Sequence, residues 1–594
     1  MFSLLRAFSP PEHPVLSLAV QAGIYSDVQP ERTQFQVLLR HFLDRFFNNP
    51  ATASDGQTKA RVLQIAYAIA LPGVCVALYL FPPYHYPGGR PFWSQVSDHY
   101  FYVMYSFVAI GAITIFVWDI FFPDLLDVFV LSTLSIERRT LFLARIAAVF
   151  AFLCIFLLGT NAPGTIFFPA SADLPSFARH FSAHLAAVTM SGIFIAAFFL
   201  ALQGSLLILL GERLFRRISP FLQGLSITGL LTVLLLFPVI SRFLEVLIGS
   251  GERAVTYFPP FWFLGVYERL LTGPTALPAF TTLARTACLA TGVVVALAVF
   301  SYPLAYRSRM RHVIEGSDGR NGRGWVTAPI TGLLHETLLR VPQGRGIYHF
   351  VSQTLLRTPR HRVYLAMYGG VGLALVIASV LMLKLGGGKV GFAFSTNGLK
   401  AAVPIVAFWT IAGLRGAFLG PADRRVNWIF RVIHGKPGWD ESAATRIWVL
   451  LWALVLTLGC VALSQVIAPP GLSGWRNASI QVFVGASLSL LLTDAFFLNV
   501  KTVPFTGVRS ASSMNLAFVL IQYFGLFPPL VLFTLGVEDW LHVSVGHLLA
   551  AAVLVVGAHF ELLRRHRKTL CDSAGLIDLE DDEEEFPQRL GLRY

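Results

Sequence analysis

The chain has 594 residues, of which 55% are hydrophobic and 13% charged, with a mean hydropathy of +0.64. Soluble domains carry about a quarter charged residues, so this composition excludes an ordinary water-soluble protein. The formal net charge of +13 fits basic loops held on one side of a bilayer and calls for no nucleic-acid partner.

In chain order, Met1 to Pro14 lacks a continuous apolar run and holds Pro10 and Pro11, so no cleavable signal peptide is expected. An amphipathic helix follows. Phe35, Leu38, Leu39, Phe42, Leu43 and Phe46 recur at helical spacing, with Gln36, Arg40 and Asp44 opposite. Such a helix suits the membrane surface, or a loop on which its apolar stripe packs. Twelve apolar segments come next, near 62–81, 100–122, 141–159, 183–211, 222–248, 286–306, 363–385, 401–419, 447–468, 477–500, 512–535 and 541–563. About 20 residues cross a hydrocarbon core, so the expected fold class is all-α, a polytopic integral membrane protein of about 12 transmembrane helices.

With the N-terminus inside, most of the 46 Lys and Arg fall in the loops of one side. The strongest markers are Arg213, Arg216 and Arg217, then Arg307, Arg309 and Arg311, then Arg564, Arg565, Arg567 and Lys568. This bias favours an even number of spans with both termini cytoplasmic. The long connection 307–362, with its Gly-rich stretch Gly316 to Gly324, divides the spans into a 6+6 pseudo-repeat. The expected units are a segment 1–61, a six-helix half 62–306, the linker 307–362, a six-helix half 363–563 and a tail 564–594. A second amphipathic helix, with Ile347, Phe350, Val351 and Leu355, precedes the seventh span as the first precedes span one. After the second span come Pro123 and Asp124; after the eighth come Pro421 and Asp423. Proline stops a helix and aspartate caps a new one, so each half is expected to hold a short cytoplasmic helix there. Basic residues close both segments, Arg138, Arg139 and Arg145 in one and Arg446 in the other.

Ionisable residues within spans are costly and count as functional candidates: Asp119, Arg242, Glu245, Arg415 and Asp494. Arg242 and Glu245 stand at i and i+3, which predicts a local ion pair. Asp119, Arg415 and Asp494 fall near span ends, where snorkelling toward water is cheap. The external stretch from Tyr257 to Arg269, with Pro259, Pro260 and Trp262, predicts a re-entrant or surface-lying element before the sixth span. The acidic run from Asp578 to Glu585 is either a solvated tail or a dock for a basic partner. No metal-ligand cluster or hydrolase motif is present, and Gly386 to Val390 lacks the spacing of a phosphate-binding loop, so no enzyme is expected. The five cysteines form no CxxC pair.

Residues 123–145 carry a family resemblance. Leu131, Leu134, Ile136, Glu137, Arg138, Arg139 and Arg145 follow a Leu-x-x-Leu-x-(Ile or Val)-x-Arg-Arg run, and with the six-span layout they resemble the membrane domain of ABC-2 type exporters. The second half, with Asp423, Arg424, Arg425 and Trp428, is related in position but not in wording. Family members usually carry six spans and dimerise, so the resemblance implies a fused pair in a bacterial inner membrane. It further implies a lipid-like or amphiphilic substrate, and separate cytoplasmic ATPase subunits that hold ATP and Mg and grip Pro123 to Arg145 and Pro421 to Arg446. A 6+6 ion-coupled secondary transporter and a non-transporting scaffold subunit are the alternatives.

Overall fold

The structure is a computed structural model. It describes residues 33–47, 58–87, 89–122, 131, 136–172, 176–249, 253–315, 341–386, 389–419, 439–468, 474–498, 500, 504–505 and 516–572. Among the described residues, eleven helices are long and apolar enough to cross a membrane, so the chain is a helical, multi-pass membrane protein. The further segment expected at 512–535 falls on another long helix, Leu516–Leu541.

The elements run as follows: α1 Gln34–Phe47, α2 Thr58–His85, α3 Phe92–Phe116, α4 Arg138–Ser171, α5 Phe177–Leu235, α6 Phe237–Arg242, α7 Leu244–Gly249, α8 Arg253–Tyr257, α9 Pro259–Thr272 and α10 Pro278–Glu315. Then come α11 Pro342–Arg357, α12 Pro359–Val380, β1 Leu381–Gly386, β2 Lys389–Phe394, α13 Thr396–Leu419, α14 Trp439–Ile467, α15 Trp475–Phe496, α16 Leu516–Leu541 and α17 Val545–Asp572. Two spans share α5, because the chain turns at Gly211 with φ 71° and ψ 164° before resuming a helix. An L side chain is strained at that positive φ, which glycine adopts freely.

Both amphipathic helices are present, and their apolar stripes are covered by protein rather than left for the bilayer. Leu38, Phe42, Leu43 and Phe46 are buried, and α1 packs on α4. Ile347, Val351 and Leu355 are buried likewise, and α11 packs on α14, where Trp448 Nε1 donates to Ser352 Oγ at 2.7 Å.

One apolar core runs through residues 38 to 306, and separate cores occupy the later helices. Lipid offers no hydrophobic drive for helix association, so close approach through small residues holds the two regions together. Their seam is α5 against α12: a Cβ on Gly224 would sit 3.4 Å from Ala366, and one on Gly370 3.1 Å from the Gly224 carbonyl. The two regions pack differently inside. The first span, α2, lies on α4, whereas the seventh, α12, lies on α13.

Three expectations are corrected. The seventh span ends at Val380, not near 385, and residues 381–386 and 389–394 pair as antiparallel strands, Leu381 with Phe394 and Gly386 with Lys389, in an otherwise helical fold. The apolar run Leu381–Leu385 alternates side chains across a pleat instead of continuing the helix. Second, the segment expected at 222–248 breaks at Leu236 and Phe243 into α6 and α7, which pack on the hairpin. Third, that break separates Arg242 from Glu245: they lie on successive short helices, both exposed, and form no ion pair within 4.0 Å among the described residues.

Candidate functional site, two buried polar networks

The end of α3 and the start of α4 carry the first set of predicted residues. Pro123, Asp124 and Leu134 lie outside the described residues, as do Pro421, Asp423, Arg424, Arg425 and Trp428. Leu131 and Ile136 pack against the first core. Glu137, Arg138 and Arg139 are exposed at the N-terminus of α4. Cations there oppose the helix macrodipole, at a cost of about 0.3–1 kcal/mol each, so helix stability does not explain them. Arg145, two turns on, is 1% exposed. Its Nη2 donates to the carbonyls of Ile120 and Phe122, the latter at 3.1 Å. Its guanidinium lies 4.7 Å from the Phe42 ring centroid and 5.6 Å from that of Phe46. One side chain thereby ties α1, α4 and the chain just beyond α3.

Asp119 keeps an exposed face at this end, where Gln223 Nε2 reaches its Oδ1 at 3.5 Å. Nearby, Glu212 pairs with Arg216 and lies 3.8 Å from Arg309. Arg415 lies 5.5 Å from the Phe497 ring centroid. Asp494 does not snorkel: it is 3% exposed, and Arg446 Nη2 donates to its Oδ1 at 2.8 Å while His559 Nδ1 donates to its Oδ2 at 2.5 Å. His566 stands below, its Nδ1 donating to the Leu498 carbonyl at 2.7 Å, which leaves Nε2 to accept from Ser442.

A further concentration of buried polar groups, not singled out in the sequence, lies at the opposite end of the first spans. Pro259, Pro260 and Trp262 open α9, a 14-residue helix that is too short to cross and is largely buried against α3, α5 and α10. Its Glu268 accepts from His99 Nδ1 at 2.6 Å. Its Tyr267 hydroxyl bridges His180 Nε2 at 2.8 Å and His184 Nδ1 at 3.1 Å, while its ring stacks on His99 at 4.2 Å. Phe168 lies against all three histidines. Beside them Asp98 accepts from Tyr84 at 3.0 Å and from both Nε and Nη2 of Arg90. Those hydrogen bonds hold the Arg90 guanidinium more firmly protonated than usual. Burial, aided by the Glu268 charge, pushes the Tyr267 hydroxyl well above its ordinary range, so it stays a neutral donor.

The signal that would have found this network was weak but present. His180 and His184 stand four apart inside an apolar run, hence on one helical face. Asp98 and His99 were hidden because α3 begins at Phe92, not near residue 100 as its apolarity implied. Among the described residues no three His, Cys, Asp or Glu side chains could hold a metal ion. The hydrogen bonds of this network tie α9 to α3 and α5. Compared with known proteins, the chain matches no family model, no curated protein and no solved structure.

Proposed function

We propose that the chain is the permease subunit of an ABC-2-like transporter, two six-helix halves in one polypeptide, powered by separate ATPase subunits on its basic side. Its cargo would be an amphiphile or lipid. The observation that carries this reading is the pairing of exposure and burial at the start of α4. Glu137, Arg138 and Arg139 are free for a partner, while Arg145 on the same helix is tied to α1 and to the chain after α3. A push on the exposed charges would move α1, α3 and α4 as one body, which is how ATPase motion can reach rigid spans. Arg446 supports a related role in the second half, since it joins α14 to the end of α15.

The test is reconstitution. Tagged protein purified in mild detergent should carry an ATPase with it, and its vesicles should transport an amphiphile only when ATP is supplied. Reversing the charges at Glu137, Arg138 and Arg139 should remove the ATPase stimulation by tenfold or more while membrane insertion persists. Unchanged stimulation defeats the lever.

A second reading, an ion-coupled 6+6 transporter, is favoured by one observation: His99, His180, His184, Asp98 and Glu268 form a buried titratable cluster. Buried ionisable groups within spans often mark proton paths. Uptake driven by a pH gradient without ATP would select this reading over the first.

A further inference from the structure

The second half holds a groove of which the transport readings use only Arg446 and its partner Asp494. α14 and α17 both pack on α15, and a cleft of about 150 Å³ opens between them. Its walls are Ala443, Ile447 and Leu450 on one side and Leu563 on the other, with Leu490 at the base. These positions recur at helical spacing, so the groove runs along the helices, as a chain lying parallel to the spans would require. Its polar groups are Arg446, Asp494, His559 and Thr493, all near the basic end of their helices.

Charge sits oddly in such a place. Asp494 is saturated by Arg446 and His559. Arg446 is not: at 7% exposure, its Nε and Nη1 find no partner among the described residues. An unpaired buried donor is costly, more so when charged, so an anionic acceptor at this site would be stabilising. At the mouth stands Trp439, with the Arg567 guanidinium 4.3 Å from its ring centroid. The same end of α17 carries Arg564, Arg565 and Lys568, all exposed, with Glu561 pairing Arg565. An aromatic residue and a basic cluster at a span end mark headgroup depth.

We propose that this groove binds one anionic phospholipid of the bilayer, its phosphate between Arg446 and Arg567 at the Trp439 mouth, and an acyl chain along Leu450, Leu490 and Leu563. Binding requires neither ATP nor transport, so it stands or falls apart from the permease reading.

The experiment is native mass spectrometry and thermal unfolding of the full chain in detergent, titrated with phosphatidylglycerol, phosphatidylcholine or glycerol 3-phosphate. Phosphatidylglycerol should bind at least tenfold more tightly than phosphatidylcholine and raise the unfolding midpoint, while glycerol 3-phosphate should do neither. Leu450→Trp fills the groove without touching a charge, and Arg567→Ala removes only the exposed cation; each should cut the preference at least fivefold with the lipid-free midpoint unchanged. Arg446→Gln should abolish it. An equal response to both lipids overturns the proposal, as does a full response to glycerol 3-phosphate or an undiminished preference in Leu450→Trp and Arg567→Ala.

Discussion

Glu268 and His99 show how much can depend on one pair of side chains. Both are buried, at 1% and 2% exposure, and the only close partner of the carboxylate described is the ring 2.6 Å away. Removing one partner of a buried hydrogen-bonded pair leaves the other unsatisfied, at a cost of about 1–3 kcal/mol. Replacing both by apolar groups of similar shape is far milder. His99→Ala should therefore lower stability in detergent by about that amount, whereas His99→Phe with Glu268→Leu should lower it by less than half as much. Denaturant or thermal unfolding of wild type and the two variants checks this, and a double variant as unstable as His99→Ala would mean that the pair is not coupled. Arg145 makes a different demand. Its planar fork reaches two carbonyls while lying against two rings, a task that lysine cannot repeat. Arg145→Lys should cost about 1–3 kcal/mol in apparent stability, with α1 becoming the first site of proteolysis.

At the scale of elements, sequence reading worked where physics is local and failed where a tertiary partner decides. Apolar runs of about 20 residues have one economical fate in a bilayer, so the long helices were legible from composition alone. The stripes of α1 and α11 were visible in the same way, but what covers them was not, because lipid and protein are equally apolar. The hairpin β1–β2 was hidden because Leu381, Met382 and Leu383 prolong the apolar run of the preceding helix. The polar network was missed because each residue in it is unremarkable until α9 folds back and brings Tyr267 and Glu268 to His99, His180 and His184. What lets α9 approach is Gly265. A Cβ there would stand 2.6 Å from the Leu283 Cβ and 2.8 Å from the Phe280 carbonyl and the Ala284 nitrogen. Gly265→Ala should accordingly push α9 from α10 and destabilise by about 1–3 kcal/mol, despite alanine's better helix propensity. Gly292→Ala, on α10 with nothing within 4 Å of its Cβ, is the control and should be neutral or slightly stabilising. If the two variants unfold alike, packing at Gly265 is not what seats α9.

For the molecule as a whole, the hairpin and the basic helix ends offer a test of orientation that depends on no substrate. Lys389 begins β2, on the end where α6 and α7 lie, whereas Arg217 and Arg567 belong to the opposite end of the spans. Translocating arginine costs more than retaining it on the cytoplasmic side, so the basic end should be the inner one. Cysteine labelling can decide. Cys75, Cys154, Cys288 and Cys460 form no disulfide among the described residues and can be exchanged for serine, and Cys571 is exchanged with them. In that background Lys389→Cys should react with a membrane-impermeant maleimide in right-side-out vesicles. Arg217→Cys and Arg567→Cys should react only after permeabilisation. The reverse pattern would place the exposed Glu137, Arg138 and Arg139 outside, where no cytoplasmic ATPase could reach them. Agreement at Lys389 and Arg217 with disagreement at Arg567 would instead mean that an even number of crossings separates Lys389 from Arg567, so that one of the five helices α13 to α17 does not span.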